Sequence, residues 1–232
     1  MKTYNHPSRW THSRVVVDRG MLLTLALALF ICITSLPARA QLVLDFTGGN
    51  ANTFSGSATV GWEFTLTTTL VVTGLGFWDE GGNGLLNNHD IGLWNSNDPS
   101  QLLASTTISN GNSVPVVSTS SDGRWLFTSI VPITLQPGTY VVGATIVAFD
   151  QDLQRFGTTA STISGLTFVQ GRNISSSSLA YPLASGTAND GIFGPNLQGT
   201  VVPEPSTVAQ VGLGLTVLVV LRGLIGRRRG AI

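Results

Sequence analysis

The sequence predicts an all-β fold, an antiparallel β-sandwich or jelly-roll-like domain, and three observations carry that prediction. Apolar and polar residues alternate at a period of two in short runs from Leu42 to about Phe193. Clusters of Gly, Asn, Asp, Ser and Pro separate those runs. No apolar stripe at the helical period occurs outside the two ends of the chain. Alternation gives each strand one core face and one outer face, and many short strands joined by turns are the pattern of sandwiches and barrels.

The elements follow in order. In "TVGWEFTL" (59–66), Trp62, Phe64 and Leu66 share one face, and Glu63 and Thr65 the other. "TLVVTGLGF" (69–77), "DIGLWN" (90–95), "LLASTTI" (102–108) and "WLFTSIVPITL" (125–135) are further β-branched or aromatic runs. In "TYVVGATIVA" (139–148), Tyr140, Val142, Ala144 and Ile146 form the inward set. The turns between them read "DEGGNG", "NSNDPS", "SNGNS", "SSDG" and "QPGT". Residues 171–200 are rich in Ser, Gly and Asn; a long loop, a late strand pair and the start of a linker all fit them.

Composition excludes several classes of function. Only 10% of the 232 residues are charged, and the formal net charge of zero hides a segregation. Basic residues gather at the two ends, whereas residues 41–200 hold ten acidic residues against Arg124, Arg155 and Arg172, a balance of −7 with no lysine. Such a body repels phosphate backbones, so nucleic acid is not among the expected partners. The one cysteine, Cys32, precedes residue 41, which removes disulfides, thiol catalysis and cysteine-zinc sites from the body.

The first 40 residues read as an export signal. A polar, basic stretch leads into "MLLTLALALFICI", thirteen uncharged residues, followed by "TSLPARA", in which Ala38 and Ala40 form a small-residue cleavage pattern. An uncleaved anchor is the alternative. The apolar run would extend only about 20 Å as a helix, against roughly 30 Å of hydrocarbon, which favours cleavage after Ala40. The body then spans 41–200, and residues 201–232 form a separate tail.

In that tail Pro203 and Pro205 lack amide hydrogens and bias Val202 and Glu204 towards extended backbone, so "VVPEPS" is unsuited to a sheet interior and accessible to a processing enzyme. Ser206 or Thr207 can cap a helix over 208–225, about 27 Å long. Nine residues from Val208 to Leu221 are Val or Leu, worth about −3 to −5 kcal/mol of insertion free energy. The basic tail 226–232, with Arg227, Arg228 and Arg229, places the C-terminus in the cytoplasm and the body outside. The apolar run has no polar face, which disfavours a buried core helix. A lasting single-pass anchor and a discarded label share these features.

The order of "VPEPST", apolar helix and terminal arginines resembles the PEP-CTERM sorting signal of Gram-negative bacteria that make exopolysaccharide. The resemblance implies that Pro203, Glu204 and Pro205 (motif 202–207) are recognised by a membrane-embedded exosortase that frees the protein for the cell surface, outer membrane or extracellular matrix. Gln210 within the helix and Arg222 before the terminal cluster are small departures that bear on processing efficiency. "VTGLGFWDEGGNGLLNNHDIGLWNS", "LLAST" and "ITLQPGTYVVGAT" look like the β-rich cargo of such proteins, which brings no catalytic residues to carry over. A structural or adhesive, non-enzymatic role in exopolysaccharide is the resulting expectation, with a polysaccharide-binding module, calcium-dependent or not, as its alternative.

"DEGGNGLLNNHD" places Asp79, Asn83, Asn87 and Asp90 in a partial calcium-loop register, although Gly81 offers no side-chain oxygen and strands, not helices, flank it. A solvated hairpin loop is the simpler reading. Trp62 and Trp125 lie in alternating runs and are expected in the core, whereas Trp78 and Trp94 flank the acidic loop and are the candidates for stacking on sugar rings. His89, the only histidine after residue 40, has Asp90 beside it, but no "GxSxG" elbow accompanies the pair, and the secreted-hydrolase reading is the weakest. Glu63, Asp79, Glu80, Asp90 and Asp150 are the acids from which a glycosidase pair would be drawn.

Overall fold

The computed structural model describes residues 40–185, 191 and 193–202. The chain divides into two units, Met1–Ala38 and Arg39–Ile232, and every described residue belongs to the second. The export signal, the motif Pro203-Glu204-Pro205, the span 208–225 and Arg227–Arg229 therefore lie outside the described residues. Among the described residues no helix is long and apolar enough to cross a membrane.

All regular structure in the described residues is β: β1 (Gln41–Leu42), β2 (Leu44–Thr47), β3 (Asn50–Asn52), β4 (Ala58–Leu66), β5 (Leu70–Glu80), β6 (His89–Asn95), β7 (Asp98–Ile108), β8 (Val114–Val117), β9 (Gly123–Leu135), β10 (Gly138–Ile146), β11 (Gln154–Phe156), β12 (Thr159–Thr162), β13 (Leu166–Ser175), β14 (Ala184–Ser185) and β15 (Pro195–Val201). They form a five-stranded sheet, β1-β15-β5-β9-β8, a six-stranded sheet, β14-β13-β4-β10-β6-β7, and two small pairs, β11-β3 and β12-β2. Every pairing is antiparallel, an arrangement consistent with a β-sandwich.

Period-two alternation explains the core. Trp62, Phe64 and Leu66 of β4 are buried, as are Tyr140, Val142, Ala144 and Ile146 of β10, the two inward sets read from the sequence. From the five-stranded sheet come Val72, Leu75 and Phe77 of β5, Trp125 and Phe127 of β9, and Leu197 of β15. Aromatic rings fill the interior: Phe46 packs on Trp78 at 4.7 Å and on Phe193 at 5.6 Å, and Phe193 meets Trp62 edge-on at 6.3 Å. A buried indole N–H needs an acceptor. Trp62 donates to Pro195 O of the other sheet at 2.8 Å, Trp78 to Glu80 at 2.7 Å and Trp125 to Asp45 at 3.1 Å.

The stretch 171–200 resolves into three parts. β13 continues to Ser175, β15 is an interior strand, and between them residues 176–185 run across the outer face of the six-stranded sheet. Ala180 N–H donates to Thr59 at 3.1 Å, Arg172 donates to Leu183 O at 3.0 Å, and Tyr181 meets Trp94 edge-on at 6.0 Å. This strap buries outward-pointing residues that alternation alone would leave in water, Glu63, Val141 and Trp94 among them.

The strand directions give the domain two poles. Val201 pairs with Leu70 and Gln41 with Gly199, so the chain enters and leaves the body side by side at the end where β5 begins. β5 then runs eleven residues, roughly 35 Å of strand, to Glu80. The loops 81–88 and 147–153 follow Glu80 and Ile146 at the far pole, since Ile146 pairs with Ala58 and Gly138 with Leu66.

Candidate functional site

The far pole holds the densest polar cluster. The loop 81–88 could not fold on its own backbone bonds, because its glycines bring flexibility and its amide hydrogens need acceptors. Side chains from three other segments supply those acceptors. Gly84, at φ 96°, a conformation L side chains rarely adopt, donates its N–H to both carboxylate oxygens of Asp79 at 2.9 and 3.1 Å. Asn110 clamps Leu85 at both backbone groups, accepting from its N–H at 2.7 Å and donating to its carbonyl at 2.6 Å. Asp152 accepts from Leu86 N–H at 2.8 and 2.9 Å and from Asn87 N–H at 2.7 Å. Finally, the Asn87 side-chain amide donates to Asp150 at 2.9 Å.

His89 completes the clasp. Its ring is fully buried and stacks on Phe77 with centroids 3.8 Å apart. Nδ1 lies 2.8 Å from Thr145 O and Nε2 lies 3.1 Å from Asp152 Oδ2, so both ring nitrogens face acceptors and both bonds are made when each carries a proton. Asp150 is tied within its own loop, accepting from Val147 N–H at 3.1 Å and from Asp152 N–H at 3.1 Å. Burial alone pushes the Asp152 carboxyl up, but the bonds from His89, Leu86 N–H and Asn87 N–H outweigh it and hold the group below its ordinary value.

Beside this clasp runs an ion-pair network. Arg155 grips Glu80 with two nitrogens and reaches Asp122 at 3.1 Å, and Arg124 pairs with Asp79 at 2.8 Å. Hydrogen bonding to Glu80, more than the burial that opposes it, raises the Arg155 pKa. On the outer sheet face Arg172 pairs with Glu63, which also accepts from Gln170 at 2.6 Å and Ser96 at 2.9 Å. Burial pushes Glu63 up, and those bonds hold it below its usual range. Asp45 is held low in the same way, by Ser118, Thr119 and Trp125 against its burial. All three arginines of the body are thus committed to carboxylates.

The four residues of the calcium-loop register are dispersed among different partners. Asp79 serves Gly84 and Arg124, Asn87 serves Asp150, and Asp90, exposed on β6, accepts from Thr107 across the sheet at 2.6 Å. Asn83 is exposed, and its amide, turned over, donates to Gly84 O at 3.3 Å and Glu80 O at 3.2 Å. Three of the loop's amide hydrogens, those of Gly84, Leu86 and Asn87, point at carboxylates, which is the polarity of an anion receptor, opposite to that of a calcium loop. A different group, His89, Asp150 and Asp152, brings one ligand atom each to within 4.8 Å of one another. A cation entering there would displace the His89–Asp152 bond and compete with the amide hydrogens on both carboxylates.

Trp78 and Trp94 are 0% and 4% exposed, so neither offers a ring face to a sugar. Trp78 packs at 5.1 Å on Trp125 as well as on Phe46, and Trp94 is roofed by Tyr181. Trp62 and Trp125 are fully buried, in keeping with their alternating runs. His89 contacts Asp152 and Thr145, and Asp90 pairs instead with Thr107. Sequence reading missed Asp152 and Asn110 altogether: their partners lie 66 and 25 residues away, and neither stands in a motif. The one available signal was arithmetic, since ten acids and three arginines in a β body oblige most buried acids to find amide hydrogens. Comparison with protein-family models and with curated proteins finds no match to this chain.

Proposed function

We propose that this chain is an exported, non-catalytic protein of the bacterial surface or extracellular matrix, with a structural or adhesive role in exopolysaccharide. Residues 1–40 act as its export signal, residues 201–232 as a PEP-CTERM-type tail read by an exosortase, and the β-sandwich, jelly-roll-like body as its working part. The observation that carries the reading is the position of the ends of the body. β1 opens at Gln41, directly after the expected cut at Ala40, and β15 closes at Val201, two residues before Pro203. The last backbone tie among the described residues is Val202 N–H to Thr69 O at 2.9 Å, directly before Pro203, which has no amide hydrogen to donate. Because Gln41 and Gly199 are paired neighbours, the two described ends of the body lie side by side at one pole.

The test is the mass of the two ends of the protein recovered from its host, together with cell fractionation. A surface-fraction protein beginning near Gln41 and ending beyond Val202 supports the reading. A cytosolic protein with both apolar ends intact overturns it, and an external protein ending at Ile232 makes the tail a lasting anchor.

A further inference from the structure

The pole opposite to the two exits carries an apolar tip. Phe149 is 72% exposed, Leu86 69% and Val147 47%, and they stand on the two loops that the buried clasp joins. Leu86 donates its own N–H to Asp152, and Phe149 directly precedes Asp150, which accepts from Asn87. The polar side chains of these two loops that reach water are amides, Asn83, Asn88 and Gln151, and the exposed carboxylate of Asp90 follows in β6. The charged groups of these loops, Asp79, Asp150 and Asp152, are turned inward and buried. The two loops themselves therefore present no charged side chain to water, on a body with a balance of −7.

Phe149 is also the one described non-glycine residue at positive φ, at 53°. This conformation costs a side-chain-bearing residue about 1–2 kcal/mol, and glycine would adopt it freely. Its N–H is fixed to Phe54 O at 2.9 Å, so the ring is held outward by backbone rather than by packing. Strain and exposure of a large aromatic at one place mark a ring kept for contact. Burial would have been the stabilising choice.

We propose that this tip binds an uncharged saccharide chain, with the Phe149 ring against the C–H face of a pyranose and the amides of Asn88 and Gln151 towards its hydroxyls. An aromatic face edged by neutral donor-acceptor groups suits a ring that is apolar on one side and polar at its rim. An acidic polysaccharide would meet the negative field of the body, and a membrane would find too little apolar area edged by amides. The site lies at the pole opposite to Gln41 and Val201, the described ends of the body. This assignment rests on the exported, matrix-facing reading for its biological setting.

The test is affinity electrophoresis of the mature protein in gels containing dextran, mannan or β-glucan, with alginate as the acidic comparison. Retardation by at least one neutral polymer is expected, with apparent affinity falling at least about tenfold in Phe149→Ala. Phe149→Gly separates binding from folding: relief of the strained φ should leave its melting temperature equal or higher, while retardation is lost. Val131→Ser, at an exposed apolar site on β9 beside the bulge opposite Val72 and Gly74, should bind as the native protein does. No retardation by any neutral polymer, equal retardation of native protein and Phe149→Gly, or retardation by alginate alone overturns the proposal. Those results leave the export reading standing, whereas a cytosolic location would sink that reading and leave the binding result intact.

Discussion

Replacing Asp152 by asparagine tests the claim that buried carboxylates, rather than a cation, hold the far-pole loop. The carboxylate receives three donors, Leu86 N–H, Asn87 N–H and His89 Nε2, at 2.7–3.1 Å. An amide keeps one acceptor oxygen and turns the other position into a donor, so one buried N–H loses its partner at a cost of about 1–3 kcal/mol. The two surviving bonds lose their charge assistance, roughly 1 kcal/mol each. The sum is about 3–5 kcal/mol, a large fraction of the roughly 5–15 kcal/mol that stabilises a typical domain. At about 2–4 °C per kcal/mol for a body of this size, melting should fall by roughly 6–20 °C. Calorimetry and urea titration read the global effect, and hydrogen exchange at Leu86 and Asn87 reads the local one. Asp152 titrates below its ordinary value of 3.8 in the folded protein, so its contribution is complete above that value and is lost as pH falls through the lower folded one. Asp152→Asn should therefore also flatten part of the acid limb of the stability profile. A melting point within 2 °C of native, with exchange at Leu86 and Asn87 unchanged, would refute the clasp.

Three further outcomes follow from the same structure. Arg172→Met should cost about 3–5 kcal/mol in urea titration by stranding Glu63 beneath the strap, and Arg172→Met with Glu63→Leu should recover most of it; equal destabilisation in both would show that charge is not the cause. Calcium at about 1 mM, or its removal by chelator, should move the melting temperature by less than about 1 °C, because the loop's amide hydrogens already have anionic partners; a larger shift would mean that a cation joins the cluster. Any processing cut should fall at or beyond Val202, read by the intact mass of the mature C-terminus, because a cut within 195–201 removes the strand between β1 and β5 together with buried Leu197; a compact mature protein ending before Pro195 would refute this.

Features that depend on neighbours along the chain were legible in the residues themselves. Alternation in 59–66 and 139–148 named the core faces of β4 and β10, because side chains of a strand point to opposite sides two by two. Glycine and asparagine clusters marked the turns, because few other residues take those backbone angles. Pro203 and Pro205 marked a stretch unsuited to a sheet interior, because proline has no amide hydrogen to donate. Tertiary structure alone decided the rest. Whether an outward tryptophan sees water depended on a strap arriving from residues 176–185, and that roof hid Trp94 and turned Glu63 into a buried ion-pair partner. The acidic loop reads as a solvated hairpin, or as a partial calcium register, and only the fold brings distant Asp150 and Asp152 onto its amides; β15, in a stretch that reads as loop, late strand pair or linker, is an interior strand. A residue's partner across a sheet is set by where the whole chain closes, and local pattern carries no record of that closure.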